Sequence, residues 1–145
     1  MIYPDELVQE ATIRMQGRAV EGFVAGQGPL HPKLMLVGEA PGKTEIDNHI
    51  PFSGQAGKEL MQTLALAGLT REDVYITSAV RSRPYRTVQR LNKRTQQAET
   101  VYPNRTPTKA EVFAHAPILD YEIEHVEPHL IATLGNIGLQ RLLGF

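Results

Sequence analysis

The chain has 145 residues, of which 41% are hydrophobic and 21% charged, with a formal net charge of −1 and no cysteine. This composition is typical of one globular domain and differs from that of disordered or membrane proteins. The lack of cysteine excludes disulfides, thiolate zinc sites and cysteine-held iron–sulfur clusters in this chain. Residues 1–10 lack a leader pattern and no apolar run is long enough to span a membrane, so we expect a soluble cytoplasmic protein.

Apolar periodicity and turn residues predict helices and strands that alternate along the chain. Ser53 is expected to cap the second helix, and the spacing of Thr108 and Glu111 is typical of a capping box that starts the third. Pro117 should kink or divide that third helix. The predicted elements are a helix at 4–17, a short strand at 20–24, a strand at 33–37, a helix at 54–66, a strand at 74–80, a helix at 108–125, a strand at 130–134 and a helix at 137–143.

The alternation of helices and strands favours a three-layer α/β/α fold with a central parallel sheet, in one domain over 1–145. The strands at 33–37, 74–80 and 130–134 are rich in apolar and β-branched residues, as expected for strands buried on both faces. The segment 81–106 has no clear periodicity, so we expect a long surface loop there.

The stretch 34–57 has the pattern of a functional site. Its apolar strand breaks at Gly38, and a loop rich in glycine and proline follows, carrying Glu39, Glu45 and Asp47. Proteins of the α/β class hold their chemistry at the carboxyl ends of their strands. Carboxylates there can position water, although acids in such loops are most often simply solvated.

Positive charge is concentrated in one part of the chain. Residues 81–109 contain a single acid, Glu99, among eight cations. A localised cationic segment on a nearly neutral protein is typical of a polyanion site, although basic runs are usually only solvated. The cations are Arg81, Arg83, Arg86, Arg90, Lys93, Arg94, Arg105 and Lys109.

Several motifs together resemble one protein family. Residues 38–42 read G-E-A-P-G and are followed by Glu45, and residues 51–57 read P-F-S-G-Q-A-G. Downstream, 75–84 reads Y-I-T-S-A-V-R-S-R-P and 104–108 reads N-R-T-P-T. In this order and spacing, the motifs resemble the uracil-DNA glycosylase superfamily, nearest to its family 4 enzymes. The resemblance implies a uracil-DNA glycosylase-like fold and excision of uracil or another deaminated base from single- or double-stranded DNA by hydrolysis of the N-glycosidic bond.

The resemblance also implies roles for individual residues. Glu39 and Glu45 would act on water and on the cationic sugar, so they are the predicted catalytic residues. Phe52 would stack on the flipped base, and Ser78 would face the edge of that base. Further base contacts are expected from the backbone amides of Gly38, Ala40 and Gly42. The predicted phosphate and DNA contacts are Ser53, Gly54, Gln55, Arg81, Arg83, Arg90, Lys93, Arg94 and Arg105.

The chain departs from the family pattern at several positions. Family 4 enzymes hold a 4Fe–4S cluster through cysteines, whose positions correspond here to Ala11, Arg14, Ser82 and His115. We therefore expect no cofactor and no metal. Ser78 stands where the family has a base-reading asparagine, which predicts weaker or shifted discrimination for uracil, because a hydroxyl offers fewer hydrogen bonds than an amide.

Two further departures concern the extent of the domain. A basic insertion at about 85–104 interrupts the family pattern. The family's final strand and its His-Pro-Ser loop, which supplies a catalytic histidine, are not present in this sequence, so we expect a C-terminally incomplete domain. Without that strand, 130–134 would form an open apolar edge, which predicts self-association.

Other functions stay open from the sequence. The chain can be a non-enzymatic nucleic-acid-binding member of the fold, an inactive truncated domain, or a small-molecule nucleobase pocket that does not bind DNA. Phe52 can equally be a packing residue beneath the loop. Nucleotide-cofactor sites are not expected, because neither G-x-G-x-x-G nor the phosphate loop G-x-x-x-x-G-K-S/T occurs.

Overall fold

The computed structural model describes residues 3–144, in which helices and strands alternate as predicted. The predicted domain limits, 1–145, include residues 1, 2 and 145, which lie outside the described residues, and stay a prediction. The elements are α1 (Asp5–Arg14), β1 (Val20–Glu21), β2 (Leu34–Gly38), α2 (Lys43–Asn48), α3 (Gln55–Leu66), a 3-10 turn (Arg71–Asp73), β3 (Val74–Ser78), β4 (Arg83–Pro84), β5 (Val88–Asn92), β6 (Gln97–Val101), α4 (Lys109–Val126), β7 (Leu130–Thr133) and α5 (Asn136–Leu143).

The central sheet has the strand order β3-β2-β7, and both pairings are parallel. Alternate residues of β2 point to opposite faces, as the pleat of a strand requires. Met35 packs with Leu119 of α4 on one face, whereas Leu36 packs with Leu64 of α3 on the other. The predicted three-layer α/β/α architecture with a parallel sheet is therefore confirmed.

Helix α4 begins at the predicted capping box. The hydroxyl of Thr108 accepts a hydrogen bond from the amide of Glu111 at 3.2 Å, and the Glu111 carboxylate accepts one from the amide of Thr108 at 2.9 Å. The helix continues through Pro117, so the predicted division at that residue is wrong. His115 and Ile118, on either side of the proline, are buried against the rest of the protein, and this packing outweighs the lost backbone hydrogen bond.

The basic segment is not the long loop that the sequence predicts. It forms an antiparallel hairpin of β5 and β6, in which Val88 pairs with Val101 and Arg90 pairs with Glu99. The turn is closed by Asn92, whose side-chain oxygen accepts the amide of Arg94 at 2.9 Å. Both faces of this hairpin are largely exposed, so no alternation of apolar and polar residues marks its strands.

Strand β7 lies at the edge of the central sheet and pairs only with β2 within residues 3–144. The predicted open edge is thus present, but the prediction that this strand is buried is wrong. Leu130 is 63% exposed, and the other residues of β7 are half-buried. No helix among residues 3–144 has both the length and the apolar character needed to cross a lipid bilayer.

Candidate functional site

A cavity of about 360 Å³ opens at the carboxyl ends of β2 and β3, where an α/β fold is expected to hold its site. Its walls are formed by residues 40–45, by residues 51–57 apart from Ser53, and by Val24, Ser78 and Asn104. Predicted site residues that line it are Ala40, Gly42, Glu45, Phe52, Gly54, Gln55 and Ser78. Lys43 and Asn104 also line it and were not predicted.

Glu45 ties two walls of the cavity together. It lies on α2, a short helix that the sequence analysis treated as loop. Its carboxylate accepts hydrogen bonds from the amides of Gly42 at 2.9 Å, Ser53 at 2.9 Å and Gly54 at 2.7 Å. The amide of Gly42 is therefore not free to contact a base, and the acceptor atoms of Glu45 are used to hold the loop.

The same contacts correct two of the predicted phosphate ligands. The amides of Ser53 and Gly54 donate to Glu45, and the Ser53 hydroxyl donates to the carbonyl of Ile50 at 2.7 Å. The residue that caps α3 is Gly54 rather than Ser53. Gln55 begins α3, and amides in the first turn of a helix have no partner within the helix, so Gln55 stays a candidate for an anion.

Phe52 is held in a strained position between two glycines. Its φ of 52° is uncommon for a bulky residue. A Cβ at Gly57 would lie 1.8 Å from the Phe52 carbonyl oxygen, and a Cβ at Gly38 would lie 2.3 Å from the Phe52 ring. The ring therefore rests against the backbone of Gly38 while it lines the cavity. It also packs beside Leu36, so it serves both the core and the cavity wall.

Arg71 fixes this conformation from the other side and was missed by the sequence analysis. Its guanidinium donates hydrogen bonds to the carbonyls of Pro51, at 2.8 Å, and Phe52. Arg71 belongs to a 3-10 turn that the sequence pattern marks only as polar, so no local signal points to this contact.

Ser78 and Asn104 supply the polar atoms of the cavity. The Ser78 hydroxyl donates to the carbonyl of Val80 at 2.7 Å, which leaves its oxygen lone pairs as acceptors only. The side-chain oxygen of Asn104 accepts from the guanidinium of Arg83 at 2.6 Å, so the amide NH₂ is turned to the side of Gly42 and the cavity. One acceptor and one donor thus face the same space. Asn104 belongs to the N-R-T-P-T motif, the only sequence signal for it.

Glu39 follows β2 directly and is half-buried, but its side chain is not part of the cavity wall. Burial raises the pKa of its carboxyl above the ordinary value. Within residues 3–144 no side chain or backbone amide donates a hydrogen bond to this carboxyl, in contrast to Glu45. A carboxylate with free acceptor atoms and a raised pKa beside a cavity has the properties of a general base.

Several predicted DNA-contacting cations have structural partners instead. Arg81 is fully buried and pairs with Glu122, and Arg83 is 5% exposed and pairs with Glu21 at 2.7 Å. These two side chains are not available to a phosphate, so that prediction is wrong for both. Arg105 is committed as well, because its guanidinium donates to both oxygens of the Glu111 carboxylate and to the carbonyls of Tyr85 and Ala19. The other predicted cations are exposed, Arg90 in a pair with Glu99, and Lys93 and Arg94 fully on the surface.

A second cavity, of about 310 Å³, shows whether this chain could hold the iron–sulfur cluster that the resemblance implies for family 4 enzymes. Three of the four corresponding positions, Ala11, Ser82 and His115, line it together, while Arg14 is exposed and pairs with Glu10. The donors are one hydroxyl, with no hydrogen-bond partner, and one imidazole, whose Nδ1 lies 2.8 Å from the carbonyl of Glu111. Such a cluster needs thiolates, so these residues do not fit it.

Comparison with known proteins agrees with the motifs. Residues 25–145 match the family model of the Uracil DNA glycosylase superfamily. The chain is 38% identical over 114 residues to a type-4 uracil-DNA glycosylase of Saccharolobus solfataricus, covering 78% of this chain and 45% of that protein. It is 36% identical over 118 residues to the corresponding enzyme of Archaeoglobus fulgidus, covering 81% and 51%.

A DNA polymerase of Bacillus phage SP01 is 32% identical over 118 residues, which cover 81% of this chain and 11% of the polymerase. The chain spans about half the length of the type-4 relatives it matches.

Proposed function

Because the chain belongs to the uracil DNA glycosylase superfamily, we propose that it receives a uracil or another deaminated base, flipped out of DNA, in the cavity at the end of β2. There it hydrolyses the N-glycosidic bond of that nucleotide. The observation that carries this proposal is the cavity wall, which Phe52 lines together with the polar residues Ser78 and Asn104. An aromatic face and a few directed polar atoms suit a planar base with N–H and carbonyl groups.

The polar atoms favour a base that carries both a donor and an acceptor on its edge. The Ser78 oxygen accepts a hydrogen bond from a ring N–H, and the Asn104 amide donates one to a neighbouring carbonyl. Uracil, hypoxanthine and xanthine each carry an N–H beside a carbonyl. The backbone amide of Ala40, which lines the cavity, remains a proposed base contact. Gly38 does not line the cavity, because the ring of Phe52 rests against it, and its predicted base contact is not proposed.

Hydrolysis of the N-glycosidic bond develops positive charge on the sugar and negative charge on the departing base. Glu39 is the proposed catalytic carboxylate, because its oxygen atoms are free to orient a water and to stabilise the cationic sugar. The Asn104 amide is available to stabilise negative charge on the leaving base. Glu45 acts as a positioning residue, because its carboxylate holds the loop that carries Phe52.

The proposed DNA contacts are the exposed cations of the hairpin, Arg90, Lys93 and Arg94, together with the amide of Gln55. Each phosphate that such cations neutralise releases counterions, so affinity is expected to fall steeply with salt. Charge reversal at Lys93 and Arg94 should reduce the salt slope by about one for each phosphate that is no longer neutralised.

Excision assays test this proposal. The protein is incubated with single- and double-stranded oligonucleotides that carry uracil, hypoxanthine or xanthine, and abasic products are detected by alkaline cleavage. We expect strand cleavage with at least one of these bases, and cleavage slowed by about 10²- to 10⁴-fold in a Glu39→Gln variant. Salt-dependent binding of DNA without any product would instead support the non-enzymatic alternative, and the enzymatic proposal would be abandoned.

We also propose that the open edge of β7, at 130–134, pairs with a second copy of the chain. Among residues 3–144 the outer side of β7 has no strand partner, and Leu130 is 63% exposed. Both support this proposal, because such an edge is a template for strand addition.

A further inference from the structure

A third cavity, of about 470 Å³, lies next to the proposed base pocket at the foot of the β5–β6 hairpin. Lys43 lines both cavities, so the two spaces adjoin at this side chain. The wall of this groove is formed by Glu21, Lys43, Arg83, Tyr85, Val101 and Tyr102. None of the roles proposed above uses the groove.

The groove presents a supported aromatic ring to solvent. Tyr102 is 53% exposed, and its ring meets that of Tyr85 edge to face, with centroids 5.7 Å apart and planes at 88°. The guanidinium of Arg83 lies 5.8 Å from the centroid of Tyr85 and also donates to the backbone carbonyl of Tyr102. Because Tyr85 and Arg83 hold it, the Tyr102 ring can receive a ligand with little loss of side-chain freedom.

Among the described residues that line the groove, one cation is left for a ligand. Arg83 is neutralised by Glu21, with which it pairs at 2.7 Å. The side chain of Lys43 is 63% exposed, and its ammonium group lies 3.0 Å from the carboxylate of Asp47 in a pair on the helix surface. Exposed pairs of this kind contribute little, so Lys43 can exchange Asp47 for a phosphate. An aromatic face beside one cation suits a nucleotide.

We propose that this groove binds the nucleotide next to the flipped one in single-stranded DNA. The base of this neighbouring nucleotide stacks on the Tyr102 ring, and the phosphate that links the two nucleotides lies at Lys43. Single-stranded DNA is favoured because a base in a duplex is already stacked and paired, whereas an unpaired base offers a free face. The inference rests on the proposed function, because the proposed base pocket is its neighbour.

Binding of single-stranded oligonucleotides by fluorescence anisotropy tests the inference. The target nucleotide is a 2′-fluorinated deoxyuridine, which resists glycosidic cleavage, so the result does not depend on excision. We expect Tyr102→Ala to weaken binding by about 5- to 150-fold, the range measured for stacking of one base on one aromatic ring. Tyr102→Phe should bind as the wild type does, because it keeps the ring. Leu91→Ala, at an exposed position of the same hairpin and outside the groove, should also leave binding unchanged.

A second oligonucleotide identifies the stacked base. It carries an abasic tetrahydrofuran residue on one side of the target, either 5′ or 3′. On one of the two sides, the missing base should weaken binding to the wild-type protein by the same factor as Tyr102→Ala weakens binding to the intact oligonucleotide. The Tyr102→Ala variant should bind the oligonucleotide that lacks this base no more weakly than it binds the intact one. Equal losses for both proteins on both sides, unchanged binding by Tyr102→Ala, or a loss confined to duplex DNA would overturn the inference.

The two proposals fail in distinguishable ways. If the proposed function alone is wrong, no base is excised but the coupling between Tyr102 and the neighbouring base persists. If the inference alone is wrong, excision proceeds and the coupling is absent.

Discussion

Arg81 and Glu122 form an ion pair in the protein interior, and the side chains of both residues are inaccessible to solvent. The Glu122 carboxylate also accepts hydrogen bonds from the hydroxyl groups of Tyr3 at 2.7 Å and Tyr75 at 2.6 Å. Arg81 donates in turn to the carbonyl of Ser78 at 2.8 Å. The pair therefore connects α4 to the end of β3, where it holds the backbone carbonyl of Ser78, a residue that lines the cavity.

Breaking this pair from either side should destabilise the protein strongly. We expect Glu122→Gln and Arg81→Met each to lower the free energy of unfolding by about 3–5 kcal/mol, because each leaves a buried charge without its partner. Denaturant titration at neutral pH measures this. The double variant Arg81→Met with Glu122→Gln should lose much less than the sum of the single losses, because no unpaired charge remains. Strictly additive losses would contradict the structural role of the pair.

The pairing of Glu111 predicts a loss of stability in acid. Two hydrogen bonds from Arg105 are the largest of the causes that lower the pKa of this carboxyl from 4.5 to about 2. Because the pKa of Glu111 is lower in the folded state than in the unfolded state, its ionised carboxylate stabilises the folded protein at pH values above the unfolded-state pKa. This contribution disappears as the pH falls from about 4.5 towards 2. Glu111→Gln should cost about 3 kcal/mol at neutral pH and should remove this part of the acid dependence. Unfolding free energies between pH 2 and 7 check both expectations.

The sequence predicts those parts of the fold whose signals are local. Strand β2 is a continuous apolar run up to Gly38, and β3 is rich in apolar and β-branched residues. The spacing of Thr108 and Glu111 marks the start of α4. The partner of Arg81 lies 41 residues further along, so its burial has no local sign, and its charge alone indicates the surface. The same holds for the site. The motif indicates Phe52, but Arg71, which fixes the Phe52 backbone, is 19 residues away and is polar in an ordinary turn.

The close approach of Gly57 to Phe52 predicts that a single methyl group disturbs the cavity. Gly57→Ala should lower the free energy of unfolding by about 1–3 kcal/mol, because the methyl group would lie 1.8 Å from a backbone oxygen that Arg71 holds. Gly54→Ala is the matched control, since the nearest atom there is 3.3 Å away on a side chain, and should cost about 1 kcal/mol or less. Thermal unfolding compares the two, and equal losses would contradict the proposed constraint.

The exposed edge of β7 predicts concentration-dependent association. Leu130→Lys places a charge on the edge strand and should shift sedimentation towards the monomer, because charged edge residues oppose strand pairing. Leu66→Lys is the control, because Leu66 is 91% exposed on α3 and away from the edge. A wild-type protein that sediments as a monomer at all concentrations would refute pairing through this edge.

The contrast between Glu39 and Glu45 predicts different defects in two carboxylate variants. Glu39→Gln should lower kcat by about 10²- to 10⁴-fold with little change in unfolding free energy, since its oxygen atoms accept no hydrogen bond within residues 3–144. Burial raises its pKa above 4.5, and the base must be deprotonated, so wild-type kcat/KM should fall as the pH drops through that raised value. This fall of kcat/KM at low pH, the acid limb of the profile, should be absent from the residual activity of Glu39→Gln.

Glu45→Gln should instead lose about 1–3 kcal/mol of stability and keep the acid limb, because an amide oxygen replaces only part of the hydrogen bonding of Glu45 to the loop amides. If the limb disappeared in Glu45→Gln and persisted in Glu39→Gln, the two proposed roles would have to be exchanged.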